Sequence, residues 1–420
     1  MTRAPSFKKY GLLGSLYLSQ FMPFWFIFQA LPVLLRQNGA SLEAIGFLPA
    51  LLIPISFKFL WSPFIDTYGF TRWGHYRFWI ICFQSVVAIL TVFCSFLNIE
   101  IHLPLVLIGL TLIALGSSSQ DIAADALALG LLEPEERGVG NAVQGIGGAF
   151  GRAIGGGGML ILLGRWGWRT SLLSLAGMML FALIPLLMHR EKIPSCPRPL
   201  RLNPQQIAGG LRAYLKIFLE ICQRPGMKTW LGILALATAG YNLSATMFRP
   251  FLVDIGWLEK DIGWLMGIFG MAMTVLGSLV TGLVISRLGR ARSFLIALML
   301  TILGILLQLL PTFGLTQVAV LYTVVGLSFF AVGMTGTTAF TIMMDKSHPE
   351  MAGTDYTFQT SVIPLFSIVS AALSGFVARF FGYQGVFLLG TILVAIAAIL
   401  TLKFPHRLSP GRQGGDLRIE

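Results

Sequence analysis

The sequence predicts an all-α membrane protein whose twelve transmembrane helices form two six-helix bundles. Its composition is the first observation: 55% of the 420 residues are hydrophobic and only 11% are charged, a balance that soluble domains of this length do not have. The second is that twelve apolar stretches reach about the 20 residues that cross a bilayer as a helix. The predicted spans are 11–35, 44–65, 77–97, 104–131, 138–163, 168–188, 229–252, 262–286, 293–311, 316–344, 354–380 and 383–404.

The distribution of basic residues predicts the orientation of these spans. If the amino terminus is cytoplasmic, most lysines and arginines fall in cytoplasmic segments, as the positive-inside rule requires. We therefore expect both termini in the cytoplasm. The net charge of +12 follows from this topology and does not require nucleic-acid binding. Lys8 and Lys9 precede an apolar run that is too long for a signal-peptide core, so the run is predicted to remain as the first span.

An internal repeat is the third observation. The second half of the chain resembles the first at an offset of 215–217 residues, in the same direction, which is typical of two bundles that bind a solute between them. The matched positions are Pro134, Glu135, Gly138 and Gln144 with Pro349, Glu350, Gly353 and Gln359.

A polar connection separates the two halves. Within it, Ile207–Cys222 alternates apolar and charged faces at helical spacing, which predicts an amphipathic helix on the membrane surface. The predicted domains are an amino-terminal bundle 1–188, a cytoplasmic connection 189–228, a carboxy-terminal bundle 229–405 and a cytoplasmic tail 406–420.

The fourth span carries two acids, Asp121 and Asp125, on one helical face. A carboxylate in the middle of a bilayer costs about 2.5–3.5 kcal/mol, so the pair predicts a protein-lined or watery site that carries a proton or binds substrate. The repeat places uncharged positions, around Thr338 and Ile342, opposite them. Arg152 lies mid-span in the fifth helix and is predicted to pair with one acid or to face an anionic substrate.

The surroundings of Arg152 predict close helix packing. Gly147, Gly151 and Gly155 recur every four residues, the small-residue pattern that lets two helices approach closely in lipid.

Other polar and aromatic side chains of the spans are candidates for the lining of a substrate cavity, with ordinary interhelical packing as the alternative. They are Tyr17, Gln20, Phe24, Gln120, Gln144, Tyr241, Asn242, Thr338, Tyr356 and Gln359.

Short basic turns follow the second and eighth spans. Asp66 with Arg72, and Arg287 with Arg290, are predicted to latch helices together on the cytoplasmic side, a contact that must break when two bundles rock. For the arginines, membrane anchoring by the positive-inside rule is the alternative.

These features resemble the major facilitator superfamily. The turn GLVISRLGRAR (282–292) resembles its signature G-x-x-x-D-R-x-G-R-R, with Ser286 in place of the acid. Four segments are similar to a branch that includes muropeptide permeases, acetyl-CoA transporters and siderophore importers, and LPVLLRQNGAS (31–41) looks closest to the siderophore importers. The four segments are 17–41, 58–66, 119–129 and 352–359. In that branch the acids of the fourth helix are the conspicuous ionisable pair. The resemblance therefore implies that Asp121 and Asp125 act in coupling or in substrate binding.

The resemblance implies a monomeric secondary transporter of the bacterial inner membrane. We expect proton-coupled import of a siderophore or its iron complex by alternating access, with a muropeptide or another amphipathic solute as the alternative cargo. The expected partners are the small-molecule substrate, protons and membrane lipids. No cofactor and no metal are expected, because the cysteines and histidines show no metal-ligand spacing.

Two other classes of function are alternatives to a transporter. A membrane enzyme is disfavoured because the five histidines lie in loops or at helix edges and the sequence has no Ser/His/Asp or Cys/His arrangement. A sensor or scaffold that transports nothing is the other alternative, and loss of uptake by Asp121→Asn at a normal surface level would argue against it. The glycine-rich run GGAFGRAIGGGG (147–158) lacks the Lys-Ser/Thr ending of a phosphate-binding loop.

Overall fold

The computed structural model describes residues 7–32, 56–69, 73–99, 101–189, 191 and 211–408. The elements in this part of the chain are all helices. In the first half they are α1 (Phe7–Trp25, continued by a π-helical segment Phe26–Ala30), a 3₁₀ segment Lys58–Leu60, α2 (Ser62–Thr67), α3 (Tyr76–Ser95), α4 (Leu103–Leu131), α5 (Arg137–Arg152, continued by a π-helical segment Ala153–Gly158), α6 (Met159–Ala182) and α7 (Ile184–Met188).

The connection and the second half follow the same plan. The elements are α8 (Leu211–Gln223), α9 (Met227–Asp254), α10 (Glu259–Ile262, continued by a π-helical segment Gly263–Phe269), α11 (Gly270–Leu288), α12 (Arg290–Leu307), α13 (Leu309–Thr312), α14 (Val318–Lys346), a 3₁₀ segment Pro349–Met351, α15 (Ala352–Lys403) and a 3₁₀ segment Pro405–Arg407.

Among the described residues, nine helices are long and apolar enough to cross a membrane. Two of them, Arg137–Met188 with 52 residues and Pro349–Lys403 with 55, are more than twice the length of one crossing. Each contains one glycine with a positive φ, Gly167 at 71° and Gly382 at 65°, a conformation that breaks the helix and that other residues avoid. Both breaks fall between predicted spans. The count of twelve and the orientation remain predictions, and the second span, 44–65, lies mostly outside the described residues.

The structure fixes the register of the internal repeat. Helices α4 and α14 both contain 29 residues and begin at Leu103 and Val318, an offset of 215, which also relates Gly167 to Gly382. At this offset Asp121 lies opposite Gly336 and Asp125 opposite Phe340. This value lies within the predicted offset of 215–217, and Gly336 and Phe340 are uncharged, as predicted for the positions around Thr338 and Ile342.

The chain divides into two compact units. Unit 1 comprises residues 1–133, 143–208 and 348–361, and unit 2 comprises 134–142, 209–347 and 362–420. The first turns of α5 thus belong to unit 2, and the first turns of α15 belong to unit 1. The two six-helix bundles expected from the sequence, 1–188 and 229–405, stay a prediction.

Glycines hold α1 close to α5 within unit 1. A Cβ atom added at Gly147 would lie 2.9 Å from the carbonyl oxygen of Gly14, and one at Gly155 would overlap the carbonyl of Met22. Because only glycine leaves room for this contact, the small-residue pattern of α5 acts in helix packing, as predicted.

Candidate functional site

The middle of α4 presents a polar face inside unit 1. Asp125 is only 2% exposed, whereas the side chain of Asp121, one turn earlier, is 22% exposed. The acids therefore lie on one face, as their spacing predicts, but in unequal environments. A buried carboxylate needs a cation or hydrogen-bond donors to remain ionised, so its partners decide what it can do.

Lys58 is the cation at this site. Its ammonium group contacts the Oδ2 atom of Asp121, and the amide of Gln20 donates a hydrogen bond to the Oδ1 atom of the same acid. The Lys58 side chain is 7% exposed. Asp121 is thus the salt-bridge partner of a buried lysine.

A break in the helix presents Lys58 to the site. Lys58 lies in a 3₁₀ segment that ends just before α2, where Pro63 occupies the first turn. Proline cannot donate a backbone hydrogen bond to the carbonyl four residues earlier, and the hydroxyl of Ser62 donates to that carbonyl, of Phe59, at 2.8 Å instead. The indole of Trp61 donates to the Ser119 hydroxyl at 3.0 Å and fixes the segment against α4.

Asp125 has a different partner. The hydroxyl of Tyr17, itself 1% exposed, donates to Asp125 Oδ1 at 2.7 Å. A neutral hydroxyl stabilises a carboxylate much less than an ammonium group does. The two acids are thereby divided into one that is paired with a cation and one that is held by a neutral donor.

Two further predicted residues complete this cluster within unit 1. Tyr356, in the first turns of α15, is fully buried with its hydroxyl beside the side chain of Gln144 and within electrostatic range of both acids. The structure therefore brings together six residues predicted from the sequence: Tyr17, Gln20, Asp121, Asp125, Gln144 and Tyr356.

The predicted partnership of Arg152 with the acids is corrected. Lys58 makes that contact, whereas the guanidinium of Arg152 lies 4.0 Å from the centroid of the Trp25 ring. The reason is helical geometry: Gly151 faces α1, and the next residue points about 100° further round the helix. Arg152 is exposed on the surface of unit 1.

Half-buried aromatic rings surround the predicted cavity residue Phe24. Its ring centroid lies 6.5 Å from that of Phe21, 5.4 Å from that of Trp25 and 4.8 Å from that of Phe28. We call these four rings together with Arg152 the aromatic surface. It can stack flat apolar faces and attract negative charge.

Gln120 was expected to line a cavity, and this expectation is also corrected. It is 1% exposed and donates to the Gln84 side chain at 2.9 Å, while the Gln84 amide donates to the Met179 carbonyl at 2.5 Å. Because Gln120 is adjacent to Asp121, it points to a different side of α4 and links three helices in the core.

The remaining predicted cavity residues mostly bond to their own helices. Thr338 and Gln359 are fully buried and donate to the carbonyls of Met334 and Asp355, so neither offers an exposed group in this conformation. Asn242 is half-buried and donates to its own helix. In unit 2, Tyr241 lines a cavity of about 40 Å³ with Gln308 and Ser328.

Asp66 joins two helix ends within unit 1. Its carboxylate accepts hydrogen bonds from the backbone N–H groups of Gly353 and Thr354 at 3.0 and 2.7 Å, and from the Thr354 hydroxyl at 2.6 Å. The Tyr76 hydroxyl donates to it at 2.8 Å. Arg72, its predicted partner, lies outside the described residues. The observed partner is the positive end of a helix dipole at the start of α15.

An acid not singled out from the sequence organises the corresponding contact in unit 2. Asp345, at the end of α14, binds Arg137 at 2.7 Å and Arg290 at 2.8 Å, and its side chain is fully buried. Arg287, predicted to share the latch with Arg290, is exposed. The usable signal was an acid at a span end, four residues before the repeated Pro349-Glu350 pair.

The chain is similar to a known family and to several known proteins. The sequence profile of the Major Facilitator Superfamily matches residues 13–363. A protein of Haemophilus influenzae without an assigned function is 29% identical over 91% of this chain and 90% of its own length. A Rickettsia conorii transporter named AmpG 4 is 24% identical over 91% of this chain and 93% of its own length. The Escherichia coli K12 anhydromuropeptide permease is 30% identical over 45% of this chain and 40% of its length.

Solved structures share the fold. The proton:xylose symporter XylE matches with a TM-score of 0.69 at 15% identity, over 94% of this chain and 95% of its own. The human organic anion transporter MFSD10 matches with a TM-score of 0.71 at 16% identity, over 95% of this chain and 100% of its own. At this identity the likeness concerns the fold alone.

Proposed function

The chain belongs to the Major Facilitator Superfamily and is therefore a multi-pass membrane transporter rather than an enzyme, and from this premise we propose that it imports an anhydromuropeptide-like solute together with protons. Such a solute is a sugar joined to a short peptide, and it carries carboxylates beside sugar rings. The observation that carries the proposal is the unequal pair of acids in α4, one bound to Lys58 and the other to Tyr17. The aromatic surface with Arg152 adds support for the class of substrate.

The pair of acids supports proton coupling. Asp121 is neutralised by Lys58, so protonation of Asp121 would leave a buried ammonium group without its counter-ion. Asp125 is held by the neutral hydroxyl of Tyr17 and can accept a proton without breaking an ion pair. We assign Asp125 as the proton carrier and the Lys58–Asp121 pair as the fixed charge that senses its state. The two sites are one turn apart on α4, so they interact electrostatically.

The aromatic surface supports the substrate class. Sugar rings present apolar C–H faces that stack on aromatic side chains, and the Arg152 guanidinium can bind a peptide carboxylate through two hydrogen bonds. The Escherichia coli relative is an anhydromuropeptide permease, and an anhydromuropeptide is a solute with both features. The Rickettsia conorii relative named AmpG 4 matches this chain over 93% of its own length.

Siderophore import is the second cargo to test. Its support is the segment LPVLLRQNGAS (31–41), of which residues 33–41 lie outside the described part of the chain. The aromatic surface would attract any anionic solute, an iron chelate included. The muropeptide proposal is preferred because of the names of the relatives. The proposal places the protein in the bacterial inner membrane with both termini in the cytoplasm.

Uptake into proteoliposomes tests both parts of the proposal. With an inward proton gradient, we expect accumulation of labelled anhydromuropeptide, its loss on addition of a protonophore, and no accumulation of a labelled ferric siderophore. Asp125→Asn should abolish accumulation against a gradient but retain exchange of solute across the membrane. Asp261→Asn, at an exposed acid, is the matched control and should behave as wild type.

Each result has a definite meaning. Accumulation of the siderophore instead of the muropeptide would refute the proposed cargo. Accumulation of either solute that survives the protonophore, or unchanged accumulation by Asp125→Asn, would refute the proposed coupling.

A further inference from the structure

An apolar groove of about 510 Å³ lies on the surface of unit 1, away from the acids. Its walls come from α1, the π-helical segment after α5, and α6 with α7. Among the described lining residues, Ser15 alone has a polar side chain, and its hydroxyl already donates to the carbonyl of Leu12 at 2.9 Å. The described side chains of the groove therefore offer no free hydrogen-bond donor to a polar solute.

The groove opens to the surroundings of the spanning helices. Phe181 on its wall is 75% exposed, and Gly177 has nothing within 4 Å of the position that a Cβ would occupy. At one end the groove is lined by Ile184 and Pro185, in the first turn of α7. Since these helices cross a bilayer, the neighbouring medium is lipid.

A lysine lies on the same face of α1 as the groove. Lys8, Ser15 and Met22 are seven residues apart, which is close to two helical turns, so they follow one stripe along the helix. Ser15 and Met22 line the groove, and Lys8 is exposed beyond its end. The ammonium group of Lys8 is therefore aligned with one end of the apolar groove.

The dimensions match one leaflet. The rise of a helix places Lys8 about 21 Å along the axis from Met22. Half of a bilayer, counted from its midplane to the headgroups, measures about 20 to 22 Å. A molecule with a negative headgroup at Lys8 would place its chains along Ser15, Leu18 and Met22.

We propose that this groove is a binding site for an anionic phospholipid, with the phosphate at Lys8 and an acyl chain between α1 and α6. The lipid comes from the leaflet on the Lys8 side, which the positive-inside rule makes cytoplasmic. The proposal does not depend on the transported solute, because the groove shares no residue with the acid cluster or the aromatic surface.

Native mass spectrometry of the purified protein titrated with phosphatidylglycerol or phosphatidylcholine tests the site. Gly177→Leu should fill the groove and remove the preferential retention of phosphatidylglycerol. Lys8→Gln should weaken that retention about five-fold, the change expected for one lysine near an anionic surface, and leave phosphatidylcholine retention unchanged.

Two matched variants control for the substitutions themselves. Gly164→Leu introduces the same side chain at another exposed glycine of α6 with open space around it, and Lys228→Gln removes another exposed lysine. Both should retain phosphatidylglycerol as wild type does. If Gly177→Leu does not fold, Phe181→Ala, at a 75% exposed position, replaces it and should also weaken retention.

The outcomes that overturn the proposal are equally concrete. Equal retention of the two lipids by the wild-type protein, or unchanged phosphatidylglycerol retention in either the groove variant or the Lys8 variant, would overturn it. Displacement of the lipid by anhydromuropeptide would also overturn it, because the groove would then be a solute site.

Discussion

Removal of the charge of Lys58 is the sharpest test of the site. Lys58→Met keeps a long unbranched side chain of similar volume but leaves Asp121 without its cation. The side chains of Lys58 and Asp121 are 7% and 22% exposed, so neither charge is well solvated by water. The substitution should therefore destabilise the folded protein much more than the loss of a surface charge would.

The magnitude follows from the burial of the two groups. Removal of one partner of a fully buried ion pair costs about 3–5 kcal/mol. Asp121 retains part of its exposure and the hydrogen bond from Gln20, so we expect a value near the lower end, about 3 kcal/mol. Asp121→Asn should cost a similar amount because it leaves Lys58 buried without a counter-ion. The double variant removes both charges, and its loss should be smaller than the sum of the single losses by about 2–3 kcal/mol.

Equilibrium unfolding in mixed detergent micelles, followed by tryptophan fluorescence, measures these differences. Lys228→Met and Asp261→Asn alter an exposed lysine and an exposed acid, and they should change the free energy of unfolding by less than about 0.5 kcal/mol. Additive single losses, with a coupling energy near zero, would refute the inference that Lys58 and Asp121 form one buried charged couple. Full stability of Lys58→Met would refute it as well.

Three further predictions follow from other contacts. Gly155→Ala should destabilise the protein by about 1–3 kcal/mol because the added methyl group meets the α1 backbone. Gly157→Ala, with open space around the added methyl group, should not destabilise it, and thermal unfolding of the two variants measures the difference. Asp66→Asn should accelerate hydrogen–deuterium exchange at the start of α15, since two backbone N–H groups lose a charged acceptor, whereas Glu350→Gln, at an exposed acid nearby, should not. Arg152→Gln should raise the KM for an anionic muropeptide several-fold with a smaller effect on kcat, and an unchanged KM would contradict the role of the aromatic surface in binding.

The sequence predicts the helical fold well because hydrophobic length is a physical requirement of the bilayer. It also predicts where two long helices break, since Gly167 and Gly382 fall in the short gaps between apolar stretches. Register is harder to predict. The first and second halves share few residues within these spans, so the sequence predicts the offset only as 215–217, and the equal lengths and starting points of α4 and α14 favour 215.

The site was partly predictable for a local reason. Tyr17 and Gln20 lie on one face of α1, as do Asp121 and Asp125 on α4, and regular helical spacing is sufficient to group such residues. The sequence analysis missed Lys58 as the cation because this residue lies in a 3₁₀ segment. There the spacing of a regular α-helix does not predict the direction of a side chain. A lysine inside an apolar stretch, five residues before a proline, was the signal available in the sequence.

The asymmetry of the repeat explains why one buried couple is sufficient. At the offset of 215, α14 has Gly336 and Phe340 where α4 has its two acids, so the second repeat avoids the free energy of burying a second charged pair in the membrane. Its own acid, Asp345, lies instead at the helix end and binds two arginines, where the charges hold α14 to the starts of α5 and α12. Duplicated helices thus place their acids at different depths: the mid-span position suits the proton-carrying role that we propose, and the end position suits a structural contact. A transporter needs only one mid-span site of this kind, because the carboxylate that takes up a proton is also the group that releases it.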